Sequence, residues 1–388
     1  KNGKSTLAAQ TEIDFGMVVR TPMVEISTIG AGGGSIAHID QGGLLSVGPE
    51  SAGSDPGPVC YGLGNSQPTV TDANLLLGRI NPDRPIGGKL EKLDVDAAYH
   101  AVEKQIATPL KLTVYEAADA IVRVANAKMA GAIRLVSVER GHDPKQFAIM
   151  PFGGGGSLHA GALMKEIGLV ASIIPRYPGV TSALGCVVAD MRLDIVQTVN
   201  QMLDDLDIDA LSRKMDDQAL KFEHALSKTE NSLTGLSRLF ELDMLYLGQT
   251  HSISIPLPND PKTYTIKSII DAFNEVYVET YGRLLPGIAL RVINMRVAVV
   301  GHRPKLDLSS MAPILSKKVD ECVTGSRLVW CDGAEIRVKI YERLDVPVGA
   351  KVLGPAILEQ PDTTIFIEPN MFGIVDKFGN LIIKWIEA

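Results

Sequence analysis

Metal-ligand spacing is missing from this sequence. Its four cysteines (Cys60, Cys186, Cys322 and Cys331) form no CxxC pair, its seven histidines show no HxxxH step, and no acidic loop has EF-hand spacing. Four scattered cysteines also exclude a disulfide framework, so the thiols read as reduced and mostly buried, in a cytoplasmic compartment. No run approaches the ~18 to 20 apolar residues that a membrane span needs, so no membrane partner is expected. There is no dense Lys/Arg run, and 38 Lys plus Arg against 45 Asp plus Glu leave a net charge of -7. That balance speaks against nucleic acid as a partner. Two phosphate and nucleophile signatures, GxxxxGK[ST] and GxSxG, are absent as well, which excludes a P-loop and disfavours a serine hydrolase. No internal repeat or low-complexity segment occurs.

What is present is core-forming material. Of the 388 residues 45% are apolar and 21% charged, the composition of a soluble globular protein with two or three domains. The chain begins with Lys1 inside a polar turn (Lys1 to Lys4) with no apolar leader after it, and this raises the expectation that further residues precede it. The first 90 residues read as strands and loops, with β-rich runs at Val18-Val19 and Val24 to Ile29. A Gly/Pro/Ser/Asp-dense loop follows from Ser51 to Gly64. Asp72 to Leu77 reads as a short helix, and Asp94 can N-cap another that ends before Pro109. Thr113 and Glu116 form a capping box for a long helix whose apolar positions keep helical spacing up to Gly141. Gln146 to Phe152 (strand), Gly153 to Gly156 (loop), Ser157 to Gly168 (helix) and Val170 to Pro175 (strand) make a βαβ crossover of about 30 residues. Beyond Asp194 come a helix over Asp204 to Lys228, strands at Leu239 to Tyr246 and His251 to Leu257, a helix from Ile266 to Arg283, and a strand from Val292 to Val300. From Ala312 on, short β runs alternate with turns, including Thr363 to Ile367.

Two glycine-rich stretches can carry chemistry: IGAGGGSIA (Ile29 to Ala37), with Gly30, Gly32, Gly33 and Ser35, and FGGGGSLHA (Phe152 to Ala160), with Gly153, Gly154, Gly155, Gly156 and His159. Glycine lets backbone approach a ligand, and free N–H groups at a helix start attract phosphate. Tight turns or packing explain such clusters equally well. The first stretch departs from GxGxxG at its last glycine, with no acid ~20 residues on after a strand, which disfavours a Rossmann dinucleotide site. His159 reads as a capping or contact residue ahead of a catalytic base. Asp40, Asp55 and Asp72 are the carboxylates nearest to glycine- or proline-rich turns. Each can hold a metal–phosphate complex or orient water, and each can equally be an Asx-turn or N-cap residue.

Six segments in order, TPMVEISTIGAGGGSIAHID (Thr21 to Asp40), SAGSDPGPVCYG (Ser51 to Gly62), PTVTDANLLLGRI (Pro68 to Ile80), VSVERGHDP (Val136 to Pro144), FGGGGSLHA and PGVTSALGCVVADMRLD (Pro178 to Asp194), resemble the hydantoinase A/5-oxoprolinase family. That family includes N-methylhydantoinase A and a large subunit of acetone carboxylase. DMLYLGQ (Asp243 to Gln249), GPAILEQPDTT (Gly354 to Thr364) and GNLII (Gly379 to Ile383) extend the resemblance to the C-terminus. It implies an α/β chain with an actin/hexokinase-like (ASKHA) nucleotide-binding lobe, incomplete at its N-terminus, over residues 1–195. An α+β segment (196–311) and a small C-terminal β-rich domain (312–388) would follow. It implies an ATP- and Mg²⁺-dependent enzyme that activates a cyclic amide or carbonyl substrate by phosphorylation for ring-opening hydrolysis. A carboxylase subunit or a non-catalytic assembly subunit are the alternatives. Gly153 to Gly156 would be the adenosine loop, Pro178 to Gly185 the connecting helix after it, and the three aspartates would face the γ-phosphate and substrate. Relatives carry DxGGT- and GGTS-type phosphate loops before the position where this chain starts. The resemblance therefore implies the C-terminal part of a longer subunit, working with a hydantoinase B-like partner or in a homo- or hetero-oligomer.

Overall fold

In the computed structural model, the described residues are 28–388 except 89, 139–140, 230–231, 314–316 and 387–388. Before them stand Ile26 and four short strands: Leu7–Ala8 pairs with Met23–Val24, and Thr11–Ile13 with Met17–Val19. The polar turn at Lys1 to Lys4 lies outside the described residues, as do Glu25 and Ser27 of the β-rich run; Ile26, Thr28 and Ile29 are not in a strand. The chain divides into two compact units, each built from two separated stretches: residues 27–184 with 307–388, and residues 1–26 with 185–306.

The first unit opens with an antiparallel hairpin, β1 (Ser35–Ile39) and β2 (Leu45–Ser51). Thr69 and Asp72 then close a capping box that starts α1 (Val70–Leu76), and the Asp94 side chain accepts from Ala97 N–H to start α2 (Val95–Val102). Helical turns do not stop before Pro109. A wider turn over Glu103–Ala107, in which Thr108 N–H donates to Glu103 C=O, carries the chain into Thr108–Leu110. It passes the position where proline, lacking an N–H, would interrupt a regular ladder.

The capping box of Thr113 and Glu116 opens α3 (Val114–Val136) as the sequence predicts. Its end differs: Ser137, whose hydroxyl donates to Ile133 C=O at 2.6 Å, terminates it, and Gly141 lies in the following turn. Ala117, Ala118, Ile121, Val122 and Ala125 are buried in one cluster with Ala73 and Leu76 of α1 and Leu77 just after it. Small side chains on that stripe let the helix backbones approach closely, and burial at ~25 cal/mol per Å² of apolar area holds them there.

The βαβ crossover is present, with a shorter first strand than the sequence suggests. Asp143 caps a tight turn at Pro144–Gln146, leaving only β3 (Ala148–Ile149) before the glycine loop. One tight turn (Gly156–His159) leads into α4 (Ala160–Ile167) and then β4 (Ala171–Ile174), which pairs parallel to β3. A helix at Thr181–Val188 follows.

In the second unit, β5 (Met191–Met202), α5 (Ile208–Thr229), β6 (Gly235–Tyr246), β7 (Ile253–Leu257), α6 (Ile266–Tyr281) and β8 (Leu290–His302) succeed one another. The sheet runs β7-β6-β8-β5, antiparallel throughout. Leu211, Met215 and Leu226 of α5 and Ile269, Phe273 and Tyr277 of α6 pack with Phe240, Leu242 and Met295 of the strands. Asp243 is the buried exception. Its carboxylate accepts from Arg296 (2.8 and 2.9 Å) and Asn294 (2.7 Å), which supplies the pairing a buried charge needs.

The chain then returns to the first unit with β9 (Val323–Cys331), β10 (Ala334–Glu342), β11 (Lys351–Leu353), β12 (Ala356–Gln360), β13 (Thr363–Ile367), β14 (Met371–Val375) and β15 (Leu381–Trp385). These form a β9-β10-β12-β13 sheet and a β11-β14-β15-β4-β3 sheet. The antiparallel pairing of Leu381 with Ile174 joins the last strand of the chain to the crossover that carries the second glycine loop.

Candidate functional site

The two glycine stretches, some 120 residues apart in sequence, line one cavity of about 220 Å³ in the first unit. Its walls are Gly33, Gly34 and Gly53 on one side, Gly154, Gly155 and His159 on another, with Thr71 and Asn74 of α1 and the apolar Ile80 and Ile86 between them. Thr71 fixes the first loop: its N–H and hydroxyl both donate to Gly33 C=O, at 2.8 and 3.0 Å. Ser35 braces that loop from within, its Oγ accepting from Gly32 N–H (2.9 Å) and donating to Gly30 C=O (3.1 Å). The chain passes so closely that a Cβ on Gly48 would lie 2.6 Å from Gly30 C=O. The second loop is anchored by Gly153 N–H to Pro178 C=O (2.8 Å) and by Thr363 Oγ1 to Gly154 C=O (3.0 Å). Gly153 has φ +80, a conformation that favours glycine.

Two polar side chains give the cavity its chemistry. Asn74 is 1% exposed and donates Nδ2 to Val70 C=O (3.0 Å), while its Oδ1 has no protein partner. A buried acceptor left without a partner costs ~1 to 3 kcal/mol. His159 holds its Nδ1 2.6 Å from Asn126 Oδ1, which makes Nδ1 the protonated nitrogen and leaves Nε2 an acceptor. Burial, and then the nearby Arg79 guanidinium, push the imidazole pKa down to about 4, so His159 is neutral at pH 7.

The candidates named from sequence are thus placed unequally. Gly33, Gly154, Gly155 and His159 meet at the cavity, Gly30, Gly32 and Ser35 shape its first loop, and Gly153 and Gly156 flank its second. Asp40, Asp55 and Asp72 do not line it. Asp40 is exposed and accepts from Gly42 and Leu44 N–H (2.8 and 2.9 Å), an Asx turn that closes the β1–β2 hairpin. Asp72 is fully buried, and both of its oxygens are engaged by Val59, Cys60 and Thr69 N–H groups and the Thr69 hydroxyl. It ties the Pro58–Tyr61 loop to α1. Asp55 is exposed, in the loop that leaves Gly53, with no hydrogen bond or ion pair among the described residues. Cys60 beside Asp72 is buried, and its thiol is pushed far above the usual range by burial first and the Asp72 carboxylate second. Thr71, Asn74 and Gly53 were not singled out from the sequence. An Asn in the middle of a helical pattern, where it is a poor helix former, is the signal that marks Asn74. Among the described residues no group of three or more His, Cys, Asp or Glu is arranged to hold a metal ion, and no helix is long and apolar enough to cross a membrane.

Residues 1–195 match the hydantoinase/oxoprolinase family and residues 208–385 match the hydantoinase/oxoprolinase C-terminal domain. The chain belongs to the hydantoinase/oxoprolinase family. It is 33% identical over 91% of its length to caprolactamase subunit alpha of Pseudomonas jessenii. It is 29% identical over 99% of its length to 5-oxoprolinase 1 of Arabidopsis thaliana. The crystal structure of the ATP-dependent caprolactamase from Pseudomonas jessenii superposes with a TM-score of 0.74 at 30% identity, over 98% of this chain. A nucleotide-free acetone carboxylase structure superposes with a TM-score of 0.78 at 22% identity, over 99% of this chain, a likeness of fold. The chain spans 51% of the caprolactamase subunit, 31% of the plant 5-oxoprolinase and 56% of each superposed structure.

Proposed function

We infer that this chain is part of an ATP-dependent subunit that opens a cyclic amide by hydrolysis, as the names of its caprolactamase and 5-oxoprolinase relatives suggest. The observation that carries the reading is the convergence of Gly33, Gly34, Gly154 and Gly155 on one cavity whose walls also include Asn74 and His159. Side-chain-free walls admit a flat ligand against backbone. ATP, when bound, supplies the phosphoryl group that activates an amide or carbonyl oxygen. Neutral His159 orients the second loop through Asn126 and offers Nε2 as an acceptor to the nucleoside. Of the three aspartates, Asp55 alone keeps a carboxylate with no described partner, and it is assigned the side facing substrate and Mg²⁺. In this proposal the cavity belongs to an actin/hexokinase-like lobe, and a hydantoinase B-like subunit is the partner. Free cysteines, three of the four buried, support a cytoplasmic setting.

The test is Gly154→Val. A Cβ at Gly154 already lies 3.2 Å from Ile86 Cγ2, and the branched methyls of valine must extend into the cavity. In the longest natural polypeptide that contains these residues, calorimetric ATP affinity is expected to fall at least about tenfold, the equivalent of ~1.4 kcal/mol. Unchanged affinity in a folded variant removes the nucleotide from this cavity.

A further inference from the structure

The second unit carries a cluster of polar side chains that the nucleotide chemistry leaves unused. Asp190 stands just before β5, Ser237 is near the start of β6, and His302 is the last residue of β8. These strands are neighbours in the order β6-β8-β5 and antiparallel, so the three residues meet at one end of the sheet. Ser237 pairs with Val300, and His302 lies two residues beyond Val300, which puts both side chains on the same face. Arg238, one residue on, points to the other face and binds Asp216 and Glu223 of α5. Ser237 Oγ is 2.7 Å from His302 Nε2, and His302 Nδ1 is 2.9 Å from Asp190 Oδ2.

The direction of each hydrogen bond follows from the carboxylate. An ionised Asp190 only accepts, so His302 Nδ1 carries the imidazole proton, Nε2 is the acceptor, and the Ser237 hydroxyl is the donor. The carboxylate is fixed from its other side, where Oδ1 accepts from Arg303 N–H at 3.0 Å; that bond, and then His302, hold its carboxyl below the usual range. Thr234 fixes the histidine backbone, its N–H and hydroxyl donating to His302 C=O at 2.7 and 3.1 Å. A hydroxyl donating to an imidazole that donates to a carboxylate is the arrangement that makes serine nucleophilic, and it is recognised by geometry, not by residue spacing. Solvent reaches it, since the His302 and Asp190 side chains are each 43% exposed. Beside Ser237 on the same face stand Leu239, 41% exposed, and half-buried Val300, an apolar shelf for a small acyl group. We propose that Ser237 is a nucleophile that accepts the acyl group of short, uncharged carboxylic esters. Ser237 Oγ bonds to the carbonyl carbon while its proton passes to His302 Nε2, and Asp190 stabilises the imidazolium. The ester C–O bond breaks, and the alcohol leaves with that proton. Water then attacks the acyl-serine, giving a proton to Nε2 that returns to Ser237 Oγ as the carboxylic acid departs. None of these residues belongs to the glycine cavity, so this activity is independent of the nucleotide reading.

An alkyl fluorophosphonate, which adds to activated serines with loss of fluoride, tests the nucleophile, and p-nitrophenyl butyrate tests the turnover. The longest natural polypeptide that contains these residues is incubated with the probe, and the adduct is located by peptide mass spectrometry, with urea-unfolded protein as control. Folded protein is expected to carry the adduct at Ser237 and unfolded protein none there. His302→Gln, which keeps a hydrogen-bonding side chain but no base, should slow labelling at least ~100-fold, the low end of general-base effects. Ser237→Ala should lower hydrolysis of p-nitrophenyl butyrate at least tenfold without changing ATP affinity. Labelling of the native protein needs no variant to fold, and its absence at Ser237 overturns the proposal. A folded His302→Gln protein that labels at the native rate overturns it too, as does a folded Ser237→Ala protein that hydrolyses the ester at the native rate. If the three residues only tie the strand ends together, substitution lowers the melting temperature while the native protein takes up no probe at Ser237, and the proposal is again overturned.

Discussion

His159 makes the stability of the first unit depend on pH in a predictable direction. The imidazole titrates at 6.5 when exposed and at about 4 in the folded protein, where burial and the Arg79 guanidinium oppose its proton. As pH falls below 6.5 the unfolded chain takes up a proton that the folded chain refuses, so the unfolded state gains. The stability tied to neutral His159 is complete above pH 6.5 and declines down to about pH 4. At ~1.4 kcal/mol per pH unit, the loss is about 2 kcal/mol by pH 5 and about 3 kcal/mol in full. His159→Gln is the perturbation to use, because an amide can donate to Asn126 Oδ1 and does not titrate. Urea unfolding followed by tryptophan fluorescence is the assay: Trp330 and Trp385, the two tryptophans of the chain, both belong to the unit that holds His159. Between pH 7 and pH 5 the native chain should lose about 2 kcal/mol more than the variant. Parallel loss in the two proteins refutes the claim that this imidazole is held neutral by burial.

Asp72→Asn separates structure from catalysis. An amide keeps one acceptor oxygen but points an NH₂ at backbone N–H donors, so the melting temperature should drop by the equivalent of ~2 to 4 kcal/mol; full stability with lost turnover would instead return Asp72 to the reacting centre. Gly78→Ala should cost ~2 to 5 kcal/mol in denaturant unfolding, since φ there is +74 and a Cβ would lie 2.2 Å from Leu328 C=O. A loss below 0.5 kcal/mol would show that α1 and β9 can separate at this point without penalty.

Elements whose stop and start signals are local were legible. Thr113 with Glu116, Asp94, and the β-branched run Thr363 to Ile367 each carry their own instruction within four or five residues, and the fold obeys it. Errors came where a distant contact decides. Nothing between Gln146 and Phe152 says that only Ala148 and Ile149 will find a partner strand, because that partner, β4, is itself placed by β15 more than 200 residues later. Glycine favours the left-handed turn that Gly141 does adopt, but the helix has already ended at Ser137, where φ is -122.

The site follows the same division. Glycine clusters announce that backbone comes close to something, but not to what, and only Thr71, bonding twice to Gly33, shows that α1 holds the first loop beside the second. The aspartates illustrate the converse. Asp72 stands nearest to a plausible reacting carboxylate by motif, yet complete burial and four donors tie it to the Val59–Cys60 turn and Thr69 and away from substrate. Close to it in sequence, Asn74 lines the cavity and has one oxygen without a partner. Availability after folding, not residue type, is what distinguishes a reactive or binding side chain from a structural one. In this chain that criterion shifts attention from Asp40 and Asp72 to Asn74, His159 and Asp55.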